Sequence, residues 1–122
     1  MKDNTLDQEA ASAANDERIV GQVHDIVHSI PAGKVMSYGA VGKRCDPPIS
    51  GYICGRIMNG ITGSVPWWRV VAKDGALPVR KRSPELSAEQ RGKLEAEGVG
   101  FDGDDRIKSE YFVADQLSLM SV

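Results

Sequence analysis

The side chains of this sequence that could do chemistry fall into three groups: the thiols of Cys45 and Cys54, the imidazoles of His24 and His28, and the block Pro66-Trp67-Trp68-Arg69-Val70-Val71, which holds both tryptophans. A cysteine attacks as its thiolate, and an unassisted thiol has a pKa of about 8.5, so a nucleophile needs an activating neighbour. Cys45 and Cys54 stand nine positions apart in a chain with only two His, which makes neither a disulfide framework nor a zinc site; they are expected to be free thiols. His24 and His28 are four apart on one helical face, but no carboxylate or thiol pattern completes a metal site around them, and surface histidines are expected. No cofactor or metal is expected. In the tryptophan block a rigid proline precedes two indoles and one guanidinium. An indole nitrogen only donates, so neither tryptophan can act as nucleophile or base. The block therefore offers aromatic surface beside a positive charge, or plain core packing.

The elements that must position these groups follow from apolar spacing and turn signals. Ile19, Val20, Val23, Ile26, Val27 and Ile30 predict a first helix from about Glu17, with Asp16 as its cap and Pro31 as its stop. After the Pro31-Ala32-Gly33 turn, Ser37 caps a short helix through Arg44, and Asp46-Pro47-Pro48 breaks it. Ser50 caps a second one through Ile53, Cys54, Ile57 and Met58, ending at Asn59-Gly60. Two short helices joined by a tight connection predict a helix-turn-helix. The Asp74-Gly75 pair inside Val70 to Leu77 predicts a short β-hairpin, and Ser87-Ala88-Glu89-Gln90 is a capping box for a last helix through Leu94 to Glu97, stopped by Gly98. The expected fold is α/β, mainly helical with a short hairpin: one winged-helix-like helix-turn-helix domain over 17–122, behind a disordered acidic tail over 1–16 to which no function is assigned.

The chain of 122 residues suits a single core, and its formal charge is −2. That sum hides a segregation. Residues 34–93 carry eleven Lys and Arg against four Asp and Glu, a net of +7, whereas residues 1–17 and 94–122 carry −4 and −5. A basic centre of this kind faces a phosphate backbone, or is ordinary solvated surface. No apolar run approaches the roughly 18 residues of a membrane span, and the first residues lack a signal-peptide pattern, so a cytoplasmic, nucleoid-associated protein is expected.

Three ordered segments, Ile30-Pro31-Ala32-Gly33-Lys34-Val35-Met36-Ser37-Tyr38-Gly39, the tryptophan block, and Leu94-Glu95-Ala96-Glu97-Gly98-Val99, together resemble the DNA-binding and active-site domain of O6-alkylguanine-DNA alkyltransferases over roughly residues 19 to 112. In that family the central motif is Pro-Cys-His-Arg-Val, and the cysteine accepts the alkyl group. Trp67 stands where the cysteine belongs and Trp68 where the histidine belongs, so the chain resembles more closely the alkyltransferase-like proteins, which bind alkylated DNA without repairing it. By this resemblance the helix-turn-helix enters the minor groove and holds the target nucleotide out of the stack.

The resemblance implies DNA contacts at Ser37, Tyr38, Tyr52, Arg56, Arg69 and Lys73, and a lesion pocket of Trp67, Trp68, Val70, Arg80, Arg82 and Glu97. Tyr38 matches the family tyrosine that presses on the backbone. Tyr52 occupies the place of the intercalating arginine; a phenol can still stack in a vacated base position but brings no charge, and the plainer reading is a half-buried helix tyrosine. Arg56, one turn later, can supply the phosphate contact. In the basic loop Pro78-Val79-Arg80-Lys81-Arg82-Ser83-Pro84, Arg82 aligns best with the arginine that stacks near the lesion and Arg80 is the alternative; a general phosphate-contacting run is the bland one. Glu97 matches the family glutamate, left here without a relay to anchor and free for a helix-end or core hydrogen bond. The implied partners are double-stranded DNA containing O6-alkylguanine and nucleotide excision repair proteins, UvrA and UvrC if the source is bacterial. The protein is expected to be a monomer, away from membranes. Two other functions stay open on the residues alone: an active alkyltransferase using Cys45 or Cys54, and a sequence-reading helix-turn-helix regulator.

Overall fold

Valine and isoleucine at every fourth position start the architecture. In a computed structural model, which describes residues 16–60, 65–77 and 83–113, helix α1 spans Glu17–His28 and buries Ile19, Val23 and Val27 along one stripe. Asp16 caps it, one carboxylate oxygen accepting from the Arg18 and Ile19 amides at 2.9 and 3.4 Å. The helix ends at His28, with Ser29 as C-cap, so Ile30 packs into the core from the following turn. The expected tail, all but Asp16, lies outside the described residues, as do 61–64, the basic loop positions 78–82, and 114–122.

Strand β1 is only Met36–Ser37 and runs straight into helix α2, Tyr38–Lys43. Helix α3, Gly51–Gly60, begins after Ser50, whose hydroxyl accepts from the Ile53 amide at 3.1 Å. α2 and α3 form the most extensive helix contact among the described residues. That contact depends on a missing side chain: a Cβ at Gly42 would run into the Ile49 carbonyl, and the Ile49 amide, donating to the Gly42 carbonyl at 3.0 Å, holds the two segments at that close approach. The two-helix unit predicted from the caps and breakers is present, with the same cap residues.

The expected hairpin is corrected. Strand β2, Val70–Val71, pairs in parallel with β1, Met36 opposite Val70 and Ser37 opposite Val71. Asp74-Gly75 does make a tight turn, closed by Gly75 N to Ala72 O at 2.9 Å and Ala72 N to Ala76 O at 3.0 Å, but among the described residues no antiparallel strand pairs with β2. The parallel pair wins because successive residues of a strand face opposite ways. Met36 and Val70 point into a core formed with α1, α2 and α3, while Val35 and Val71 point into a second core of Leu77, Leu94, Val99, Ile107 and Phe112. A two-residue sheet thus forms the wall between two cores, and the Val113 amide extends it by donating to the Val35 carbonyl at 3.0 Å.

The last long helix, α4, spans Pro84–Ala96. It starts earlier than the capping box at Ser87 predicts, because Ser83 with proline at the first helical position makes the stronger start; the Ser83 hydroxyl accepts from the Leu86 amide at 3.1 Å and Ser87 lies inside the first turn. Its end is as expected: Gly98 sits at φ 87° and Val99 N donates to Leu94 O at 3.0 Å, the closing bond of a Schellman turn. Gly42→Ala is expected to cost about 1–3 kcal/mol by overpacking against Ile49, lowering the melting temperature by about 4–8 °C per kcal/mol. Calorimetry checks this, and an unchanged melting temperature would show that the α2–α3 crossing has room to spare.

Candidate nucleic-acid interface

The tryptophan block follows from Pro66, which has no amide hydrogen to offer and whose carbonyl accepts the Arg69 amide at 3.1 Å, closing a single 3-10 turn over Trp67–Arg69. The turn delivers its side chains to the end of α4. Glu97, the C-cap of that helix, accepts the Trp68 indole N–H at 3.0 Å, the Arg69 Nη2 at 2.6 Å, the Arg69 Nε at 3.0 Å and the Gly33 amide at 3.1 Å. Arg69 completes its fork by donating Nη1 to the Ile30 carbonyl at 2.8 Å. The pair is largely removed from water, with side-chain exposures of 16% and 15%. Burial pushes the Glu97 carboxyl up, but hydrogen bonds from Arg69, Trp68 and the Gly33 amide outweigh it and hold the group below its ordinary range.

Trp68 is held at its edge by Glu97 and over its ring by two cations, Lys93 Nζ at 4.7 Å and Arg69 Cζ at 5.4 Å from the centroid. Trp67 stands nearly perpendicular to it, with centroids 6.1 Å apart and planes at 86°. Trp67 is half-buried and its indole N–H makes no hydrogen bond to the described residues. Beneath the turn, Gln90 of α4 donates its amide to the carbonyls of Trp68 and Val70, both at 3.2 Å, while its own Oε1 has no partner, a vacancy that costs about 1–3 kcal/mol.

Several expected site residues are also tied into the fold. The Arg69 guanidinium faces inward with every nitrogen engaged, in a largely buried ion pair with Glu97. Val70 is 0% exposed and backs the motif from the core. Ser37 is buried and its hydroxyl accepts from the Ala40 amide at 3.1 Å, capping α2. Tyr38 is half-buried beside Gly55, where an added Cβ would lie 4.0 Å from its ring. Tyr52 is 46% exposed, against the half-buried core alternative, and Arg56 lies exposed one turn further along α3. Lys43, Arg44 and Lys73 are also exposed. Arg80 and Arg82 lie outside the described residues. Gln90 was missed, although its place four residues before Leu94 marks the buried face of α4.

Neither thiol is poised for reaction. Cys45 and Cys54 are buried in the core between α1, α2 and α3; burial raises both, and burial together with the neighbouring Cys45 pushes Cys54 up to about 12. Among the described residues no group of three or more His, Cys, Asp or Glu is arranged to hold a metal, and no helix is long and apolar enough to cross a membrane.

A short two-helix unit with an exposed basic edge, leaning on an aromatic turn, is the arrangement of a helix-turn-helix DNA-binding domain. The chain belongs to the family of 6-O-methylguanine DNA methyltransferase DNA-binding domains, whose sequence model matches residues 18–99. It is similar to a DNA base-flipping protein of Vibrio parahaemolyticus, 29% identical over 68% of this chain and 82% of that protein, and to Alkyltransferase-like protein 1 of Schizosaccharomyces pombe, 37% identical over 64% and 73%. Its fold matches the crystal structure of S. pombe Atl1 in complex with damaged DNA containing O6-carboxymethylguanine, with a TM-score of 0.67 and 30% identity over 77% of this chain and 93% of that one.

Because the folded Glu97 carboxyl sits below its ordinary range, its contribution to stability is present above that range and is lost as pH falls through it, from about pH 5 downward. Glu97→Gln should flatten that acid limb and, by orphaning the Arg69 charge, lower stability at pH 7 by on the order of 3 kcal/mol. Urea titrations of both proteins at pH 7 and pH 4 test it; equal acid sensitivity would place the titrating group elsewhere.

Proposed function

We propose that this protein is a non-enzymatic DNA damage recognition protein: it binds double-stranded DNA, extrudes an O6-alkylguanine, and holds it without transferring the alkyl group. The observation that carries this reading is the replacement of reactive side chains by a braced tryptophan pair at the Pro-x-x-Arg-Val motif, while both thiols of the chain lie buried and protonated. Alkyl transfer needs a thiolate aligned with the O6-alkyl carbon. Buried thiols in the α1–α2–α3 core are neither charged nor open to a base, which argues against the active-transferase alternative.

The chemistry left is recognition. An extruded purine meets the half-buried Trp67 ring, with base-aromatic stacking contributing on the order of 1–3 kcal/mol. Tyr52 on α3 fills the gap in the duplex, Tyr38 presses on the backbone, and Arg56, Lys43, Arg44 and Lys73 meet phosphates. Arg82 or Arg80 closes over the base. The relatives named above as a base-flipping protein and as Atl1 bound to damaged DNA support this reading. We further infer that the monomeric complex marks the lesion for nucleotide excision repair, through UvrA and UvrC in a bacterial cell.

Intact-protein mass spectrometry after incubation with O6-methylguanine DNA is expected to show an unchanged mass, and a methyl adduct on Cys45 or Cys54 would overturn the non-enzymatic reading. Affinity should fall as salt rises, in proportion to the phosphates neutralised by the +7 centre. Tyr52→Ala should weaken binding about tenfold through lost stacking, Tyr52→Phe little, and Tyr52→Arg not at all. A 2-aminopurine beside the lesion should brighten on binding the parent and less with Tyr52→Ala; unchanged affinity and fluorescence would move the finger to Arg56.

A further inference from the structure

Two polar side chains are buried among the described residues, Ser37, which caps a helix, and Gln90, which caps nothing. Gln90 is 1% exposed on α4, with its amide nitrogen bridging the carbonyls of Trp68 and Val70 and its Oε1 without a partner. Methionine would fill a similar volume and remove the orphaned Oε1, but it would leave the Trp68 and Val70 carbonyls without their amide donors. The side chain thus leaves its own acceptor unpaired in order to hold two backbone carbonyls, and a cost of that kind marks a backbone whose placement matters.

What the amide supplies is a pair of donors with fixed spacing. Both reach the segment that carries Trp67, at the carbonyls on either side of Arg69, and they set the register of that backbone against α4. Trp67 has no side-chain hydrogen bond of its own among the described residues; its place is inherited from the backbone turn and from the edge contact with Trp68. Trp68 in turn is fixed twice, at its indole by Glu97 and at its carbonyl by Gln90. We propose that Gln90 is a positioning residue for lesion discrimination: it holds the Trp67–Val70 backbone so that the Trp67 ring meets the alkylated base at one fixed place. The exposed cations assigned above to phosphate all lie outside the Trp67–Val70 segment, so on this proposal Gln90 governs the preference for the lesion and leaves affinity for plain DNA alone. The inference rests on the damage-recognition reading above.

The test compares the parent, Gln90→Met and Gln90→Glu on matched duplexes with and without O6-methylguanine, with thermal melting alongside. Gln90→Met should still fold, with a lowered melting temperature, because two carbonyls lose their donors while only the cost of the orphaned Oε1 is recovered. It should bind the plain duplex as the parent does and lose about tenfold of its preference for the alkylated one. Gln90→Glu, which turns a carboxylate toward two carbonyls, should lose at least as much, and amide hydrogen exchange at Trp67 and Arg69 should quicken in both. Equal losses on the two duplexes, or a parental preference in Gln90→Met, would overturn the proposal. So would a Gln90→Met chain that fails to fold, since the amide would then be a requirement of the fold itself; if only the glutamate variant unfolds, the methionine variant decides. A parent with no preference between the duplexes would instead remove the damage-recognition reading, and this inference with it.

Discussion

The carboxylate of Glu97 joins three pieces of chain at one point: the turn after α1 through the Gly33 amide, the tryptophan turn through Trp68 and Arg69, and the end of α4, which it caps. A buried charge is costly unless it is paired and its remaining lone pairs are bonded. Here both oxygens accept from donors fixed by their own backbone, and Arg69 uses its remaining fork on the Ile30 carbonyl. Electrostatics of this kind tolerate little displacement. Removing either partner leaves the other charged and dry, so the geometry of the whole aromatic turn is tied to the ion pair.

That node also explains how tryptophan can occupy a place where the resemblance expects histidine without undoing the fold. What the glutamate needs from its neighbour is an N–H donor of the right reach, and an indole supplies one as an imidazole does. What the indole cannot supply is the lone pair that would take a proton. The indole thus keeps the hydrogen bond to Glu97 and has no site at which to take a proton. The thiols that remain belong to a different core, where burial raises them out of the reactive range.

Charge follows the same division between frame and surface. The basic centre of the sequence is not uniform in space: Arg69 is sealed inside, whereas Lys43, Arg44, Arg56 and Lys73 reach solvent. These exposed cations and the exposed Tyr52 are suited to a phosphate backbone, and the parallel strand pair joins the segment that leads into the two-helix unit to the one that follows the aromatic turn. Gln90 fits this picture as a polar strut in an apolar wall, holding the backbone of the tryptophan turn through the Trp68 and Val70 carbonyls.

By itself the sequence determined the local events. Asp16, Ser37 and Ser50 cap the helices they were expected to cap, Gly98 ends the last one, and the tryptophans rule out a nucleophile at the motif, because caps, turn residues and side-chain chemistry act over a few bonds. The family was legible too, from three short ordered motifs. Everything that joins distant segments was decided by the tertiary structure. A two-residue strand has too little pattern to name its partner, so the parallel pairing of Met36 with Val70 displaced the expected hairpin. That Arg69 is held by Glu97 and Ile30, and that Ser37 and Val70 are buried, came only with the folded chain, since the sequence does not show that Glu97 and Ile30 lie within reach of one guanidinium. The start of α4 was misplaced by a competing cap, and Gln90 was hidden because burial of a polar side chain depends on what packs over it, which only the folded chain specifies.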